Sequence, residues 1–325
     1  MSSLSDLRRA QAGVVSRAQV LAAGRSSRDV ERMLRRRELT RVHTGVYVDH
    51  TGPLTWEQRA WAACLAHAPA ALTGASALRV WAVRTGAATD DDPVELVVAA
   101  ARRVRDPDGV RTRRSASFDT DALVHLDPPR TRLEPALLEV ASAALREDRC
   151  VAVLADAVQA GRTTTERLRS ALDQQTRLRR RGLMGEVLAD ASAGALSPLE
   201  RRYLRDVERR HRLPAGERQA RRDLAASGRS AYDDVRYAAY GVVVELDGLA
   251  THGRSVDRWA DLERDLEVAG AGEVSLRVGW RQVLDPCRLA RLVSAVLAAR
   301  GWTGELTCVS GACSAPGAED APLSA

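Results

Sequence analysis

Residues 242–248 read Val242-Val243-Val244-Glu245-Leu246-Asp247-Gly248, and the reading of this stretch decides the fold of the second half of the chain. Consecutive valines predict a β-strand in a largely buried sheet. At the two-residue period of a strand, Glu245 and Asp247 share one face while Val244 and Leu246 take the other. Asp234 belongs to the preceding β-prone run, Ala231–Tyr237, and a hairpin between the runs brings it alongside the other two acids. Like charges gathered in a buried sheet are costly unless something positive lies between them. One answer is a divalent cation, Mg²⁺ or Mn²⁺, on the oxygens of Asp234, Glu245 and Asp247, able to polarise a phosphodiester and activate water. The plainer alternative makes Asp247-Gly248 the polar end of a strand and Asp234 a turn residue beside Asp233.

Outward from that strand, residues 196–302 read as helix (Ser197–His211), strand (Glu217–Leu224), strand (Ala231–Tyr237), strand (Val242–Asp247), helix (Val256–Ala269), strand (Val274–Val278) and helix (Asp285–Ala299). That order predicts a small mixed sheet flanked by helices. Ser197, Pro198 and Glu200 stand at the spacing of a capping box with proline in the first turn. Trp280 reads as a core anchor between the last strand and the last helix. Arg264 can neutralise the acidic cluster or pair with Glu267. His252 follows a glycine-containing loop, where histidines are usually surface residues.

At the other end, residues 4–50 predict three short helices and a hairpin. Ser16-x-x-Gln19 is a capping-box start, and Ser26 or Ser27 can cap the third helix, whose apolar stripe is Val30, Met33 and Leu34. Arg28, Arg32 and Arg35 then cluster on its outward side, and Arg41 and His43 decorate a hairpin turning at Thr44-Gly45. Helix, helix, basic helix and hairpin is the order of a winged helix-turn-helix, in which the third helix enters the DNA major groove and the hairpin touches backbone. Ser26, Ser27, Arg28 and Arg32 are the base-reading candidates, near the helix start; Arg35, Arg41 and His43 complete the DNA-facing set. The alternative is a small helical cap kept soluble by its arginines.

Charge supports a polyanionic partner without naming it. All 49 basic residues are arginine and the net charge is +6. Residues 175–223 carry 13 Arg against 7 Asp and Glu, an excess equal to that of the whole chain. Guanidinium groups pair bidentately with phosphate, although such a run also suits a solvated helix laced with Arg–Glu pairs. Cys64, Cys150, Cys287, Cys308 and Cys313 form no C-x-x-C pair, so neither a disulfide framework nor a thiolate zinc site is readable from spacing. No apolar run has the roughly 20 residues of a membrane span and no signal-peptide core opens the chain, which predicts a cytoplasmic protein with no membrane partner.

Residues 4–50, with GVVSRAQVLAAG and the R-x-H-x-G-V-Y hairpin, resemble the N-terminal winged-helix domain of AbiE-type abortive-infection antitoxins. Residues 54–170 continue in that manner, with LTGASALRVWAV and PPRTRLEPALLEVASAAL. Glu139 stands where those antitoxins usually have Asp, and the residues alone make Glu134, Glu139 and Asp156 surface or capping groups. Ser197-Pro198-Leu199-Glu200, Tyr232-x-Asp234-Val235, Val244-Glu245-Leu246-Asp247-Gly248-x-x-x-His252, Arg264-Asp265 and Gly279-Trp280-Arg281-Gln282-Val283 resemble the core of Vsr-like endonuclease domains. These are similar to very-short-patch repair enzymes and have the PD-(D/E)xK nuclease fold. The resemblance implies a metal-dependent phosphodiesterase with Asp234 and Glu245 on Mg²⁺, Asp247 in the third active-site position, Glu200 facing the metal and His252 near the scissile phosphate. It also has a gap: the motif lysine is missing and Asp247 replaces it, with Arg264 or His252 left to compensate.

The expected organisation is mixed α and β: a winged helix-turn-helix at 1–52, an antitoxin-like α/β region at 53–175, a helical connector at 176–195, a Vsr-like α/β domain at 196–302 and a disordered tail at 303–325. Three functions fit. One is an endonuclease or nickase on double-stranded DNA. Another is an antitoxin-like transcriptional regulator with an inactive nuclease fold and a cognate toxin. The last is a partner-binding protein whose arginines serve only solvation.

Overall fold

Short β-branched runs separated by glycine turns build the first sheet, and capping boxes start the helices around it. The computed structural model describes residues 3–83, 89–189, 197–223, 230–248, 266 and 268–308. The chain divides into two compact units, 1–143 and 144–325. The division falls inside the 53–175 region expected from sequence, so the helices from 147 onward belong to the second unit.

The first unit begins α1 (Leu4–Ala10), β1 (Val14–Ser16), α2 (Arg17–Ala22), α3 (Ser27–Arg35), β2 (Thr40–His43) and β3 (Val46–Val48). The strand β1 is an element the sequence reading lacked: three residues are too few to show a period. Its partner is β3, giving an antiparallel sheet in the order β1-β3-β2. Val14 and Val15 are both fully buried because this sheet is covered on two sides. Val15 and Tyr47 join Val20, Val30, Met33 and Leu39 under the helices, while Val14, Val46 and Val48 pack with Trp61 and Ala62. Those last two belong to α4 (Trp56–Ala66).

The rest of this unit comprises β4 (Ala71–Leu72), α5 (Gly74–Val80), β5 (Val94–Ala99), β6 (Val110–Ser115), α6 (Phe118–Asp121), β7 (Ala122–Leu123), β8 (Arg130–Thr131) and α7 (Leu133–Ala143). Its five strands lie in the order β6-β5-β4-β8-β7. Alternate residues of β5 are not needed for solubility, since Val94, Leu96, Val97 and Val98 are all buried.

In the second unit α8 (Glu147–Gln159), α9 (Thr165–Gln174) and α10 (Arg181–Ala189) precede α11 (Pro198–Arg202). The stretch expected to be a connector buries Leu183, Met184, Val187 and Leu188 and is therefore part of a packed body. Helix α11 runs into a π-helical turn, Tyr203–Arg209, where one α-helix was expected. Then come β9 (Glu217–Asp223), β10 (Ser230–Tyr237), β11 (Val242–Asp247), β12 (Val274–Gly279), a short helix Trp280–Val283 and the terminal helix Pro286–Ala299. The sheet order is β12-β11-β10-β9, with β9, β10 and β11 an antiparallel meander and β12 parallel to β11. Gly241, with φ of +59°, closes the turn between β10 and β11 in a conformation that favours glycine. Of the helix expected at Val256–Ala269, only the end lies within the described residues. The first six residues of the expected disordered tail are described too, and the Thr307 N–H donates to the His211 carbonyl at 3.4 Å.

One face of this sheet carries a buried ion network. Asp233 is fully buried and receives Arg222 Nη2 at 2.8 Å; the same guanidinium reaches Glu273 at 2.5 Å, and Arg236 binds Glu273 at 2.7 Å. A second cluster holds Glu208, which ion-pairs with Arg218 at 2.6 Å and accepts from the Tyr237 hydroxyl at 3.1 Å. Removing one member of a buried pair leaves an uncompensated charge. Arg222→Ala is accordingly expected to destabilise the second unit by about 3–5 kcal/mol. Urea unfolding of the full chain, followed by circular dichroism, measures it; an unmoved midpoint would show that the network contributes nothing.

Candidate functional site

The antiparallel ladder of β10 and β11 ends at Val235 opposite Val244, and one residue beyond it the Asp234 carboxylate accepts from the Leu246 N–H of β11. Adjacent residues on a strand point to opposite faces. Asp233 therefore enters the ion network while Asp234 turns to the face of Glu245 and Asp247. On the other side of β10, Gln219 of β9 extends Nε2 to Asp234 Oδ1 at 3.2 Å and to Glu200 Oε2 at 3.3 Å. One amide thus bridges two carboxylates from different elements. Glu200 is nearly buried, 8% exposed, and completes the Ser197 capping box, the helix-start role read from the sequence.

The electrostatics follow from this crowding. Burial raises the Asp234 carboxyl above the ordinary aspartate range, and Glu200 and Asp247 raise it further. The Leu246 N–H, donating to Asp234 Oδ2 at 2.7 Å, and Gln219 act in the opposite direction without cancelling the rise. Glu200 of α11 and Asp247 of β11 thus lie near enough to Asp234 to act on its charge, while Glu245 shares the strand of Asp247. Among the described residues these carboxylate oxygens do not close to within 4.8 Å of one another as a group of three, so an ion held here would have to draw them together.

The sequence reading missed two members of this face. Gln219 gave no signal, being one polar residue in an Arg-rich strand. Arg277 of β12 pairs in register with Glu245 and is exposed. In-register neighbours share a face, so a guanidinium flanks the acidic cluster from a strand distant in sequence. The compensating residues expected from sequence, His252 and Arg264, lie outside the described residues.

In the first unit, Ser26 caps α3 and forms a capping box with Asp29, and Arg32 pairs with Asp29 at 2.7 Å. Ser27 accepts a hydrogen bond from Arg17 at 2.7 Å. Arg28, Arg35 and Arg41 are exposed, whereas His43 is half-buried with its pKa lowered by that burial, helped by nearby His67. A neutral imidazole contributes little to phosphate attraction. Of seven residues expected to face DNA, the arginines at 28, 35 and 41 are therefore best suited to phosphate.

Another polar cluster forms around Glu139, which was expected to be a surface or capping group. Glu139 ion-pairs with Arg113 and accepts from the Thr73 hydroxyl and from the Gly74 N–H at 3.1 Å. Glu95, accepting from the Ala75 N–H at 2.8 Å, has its pKa raised first by burial and then by Glu139. Gly74 sits at φ +51° with Glu95 pressed against it, leaving no room for a side chain. Asp156 is exposed, as expected.

In the second unit a ring nitrogen of His211 and the sulfurs of Cys287 and Cys308 lie within 4.8 Å of one another. Their wide spacing in sequence made this cluster unreadable beforehand. Among the described residues no helix is long and apolar enough to cross a membrane.

Because its pKa is raised, Asp234 binds its proton more tightly in the folded chain than in the unfolded one. Its contribution to stability is complete below the ordinary aspartate value of 3.8 and is lost as pH rises through the elevated value. Asp234→Asn is expected to raise Tm at pH 7 without divalent cation, with the gap closing towards pH 4. A gap independent of pH between 4 and 7 would contradict the assignment of Asp234 as the strained acid. Neither a protein-family model nor a curated protein matches the chain.

Proposed function

We propose that the chain is a DNA-binding protein whose second unit is a metal-dependent endonuclease of the Vsr-like, PD-(D/E)xK kind. The observation that carries this reading is the nearness of Glu200 and Asp247 to Asp234, whose pKa is raised first by burial and then by those two carboxylates, on a β-meander extended by a parallel strand. Asp234 and Glu245 would hold Mg²⁺, with Asp247 beside them and Glu200 oriented by its cap and by Gln219. Such an ion supplies Lewis-acid polarisation of a phosphodiester and a more acidic bound water.

The protein's own groups have separable tasks. Gln219 fixes Glu200 and Asp234 relative to one another, so that the cluster does not spread under its own repulsion. Asp247 takes the position of the missing lysine, and a carboxylate there cannot stabilise the negative charge that develops on a phosphate. Arg277, in register with Glu245, provides the cation for a phosphate oxygen. The N-terminal three-helix, three-strand segment is read as a winged helix-turn-helix that grips duplex DNA, with Arg28, Arg35 and Arg41 on phosphates.

A second reading, the antitoxin-like regulator with an inert nuclease fold, is favoured by the absence of lysine from the whole sequence. The two separate on supercoiled plasmid DNA with the full chain in Mg²⁺ or Mn²⁺. The nuclease reading expects nicking or cutting that falls at least 100-fold in Asp234→Ala or Glu245→Ala, and roughly 10-fold or more in Arg277→Ala. DNA binding with no cleavage in either metal would overturn it in favour of the regulator.

Binding has its own test. Replacing Arg28 and Arg35 by alanine is expected to weaken duplex binding on all sequences. Each lost phosphate contact should flatten the slope of log K against log salt by about 0.9. Unchanged affinity at low salt would remove α3 from the interface.

A further inference from the structure

We infer that His211, Cys287 and Cys308 form a structural Zn²⁺ site, separate from the carboxylate cluster and independent of the proposed nuclease activity. His211 is 2% exposed, at the end of the π-helical turn. Its Nδ1 lies 3.0 Å from the Val207 carbonyl, which accepts the Nδ1 proton. That assignment leaves a lone pair on Nε2, and Nε2 is buried with no hydrogen-bond partner. A buried polar atom in that condition is costly, and metal ligation is a standard remedy. A histidine whose other ring nitrogen donates to a backbone carbonyl also has the orientation typical of zinc ligands.

The two other donors come from elsewhere in the unit. Cys287 is in the first turn of the terminal helix, and Cys308 is on the segment that follows it. Neither cysteine is in a disulfide. The three donor atoms lie within 4.8 Å of one another. Tetrahedral zinc, with Zn–S of about 2.3 Å and Zn–N of about 2.0 Å, brings its donors to roughly 3.5–3.8 Å, a small adjustment. One imidazole and two thiolates suit zinc and not Mg²⁺, which takes oxygen ligands. Binding is a ligand exchange without redox change: two thiols lose protons to solvent, two Zn–S bonds form, and Nε2 gives its lone pair. A water or another donor completes the coordination.

The consequence is mechanical. The ion ties the end of the π-helical turn, the start of the terminal helix and residues 303–308 together. Thr307, donating to the His211 carbonyl, already holds the last of these in place. Glu200 begins the same helical stretch that His211 ends, so zinc stiffens the support of the carboxylate cluster without touching it.

The test uses the full chain, purified under reducing conditions without chelator. Elemental analysis is expected to give one zinc per chain, lost in His211→Ala and in the Cys287→Ser/Cys308→Ser double variant but kept in Asp234→Asn. Cobalt exchanged into the wild-type chain should show thiolate-to-cobalt charge transfer and intense tetrahedral bands, a readout that does not depend on any variant folding. Chelation should lower Tm. Absence of those bands in reduced, folded wild-type chain, or full zinc retention in the double-cysteine variant, would overturn the site; so would a Cys287–Cys308 disulfide under the same reducing conditions. Loss of cleavage in Asp234→Asn with zinc still bound would leave this inference standing and bear only on the nuclease reading.

Discussion

Asp233 and Asp234 are neighbours on one strand that meet opposite surroundings, and the second unit depends on keeping them apart. Strand geometry sends one carboxylate into the interior, where Arg222 meets it and Glu273 shares the same guanidinium. It sends the other towards Glu200 and Asp247. A register shift of one residue would exchange them, placing Asp234 among arginines and Asp233 among carboxylates. The ion network on one side is thus what specifies the acidic face on the other. Its arginines answer a structural need, which removes Arg222 and Arg218 from any count of phosphate-binding groups.

The same logic discounts much of the basic charge between 175 and 223. Arg202 pairs with Glu186, Arg205 with Asp206 and Arg218 with Glu208. Arg180 donates to the carbonyls of Ala144 and Leu145. An excess of +6 on paper is therefore a mixture of buried, fold-holding pairs such as Arg218–Glu208 and more exposed pairs, and the exposed ones contribute little to stability. On the proposed reading, polyanion binding would rest on fewer, exposed arginines, of which Arg28, Arg35 and Arg41 are the best placed in the first unit.

Local signals in the chain were readable because they are short-range. Ser16-x-x-Gln19 marked a helix start, Thr44-Gly45 a hairpin, and Ser197-Pro198-x-Glu200 a capped helix. The shared face of Glu245 and Asp247 follows from strand period alone. Cooperative features were not readable. The strand Val14–Ser16 exists only through pairing with Val46–Val48, and the helix Arg181–Ala189 looked like a connector until its apolar side was seen to be buried. Glu139 read as a surface or capping acid, because nothing near it in sequence hinted at Arg113 or Thr73.

Sequence by itself determined which residue types alternate on each strand, where helices begin and that no thiolate motif has conventional spacing, because backbone period and capping act over three or four residues. Only tertiary structure decided that Gln219 bridges Glu200 and Asp234, that Arg277 falls beside Glu245, and that His211 meets Cys287 and Cys308. Those encounters depend on strand register and on chain segments closing across the unit. Distances of a few ångström between groups far apart in sequence are set by packing, and no local pattern encodes them.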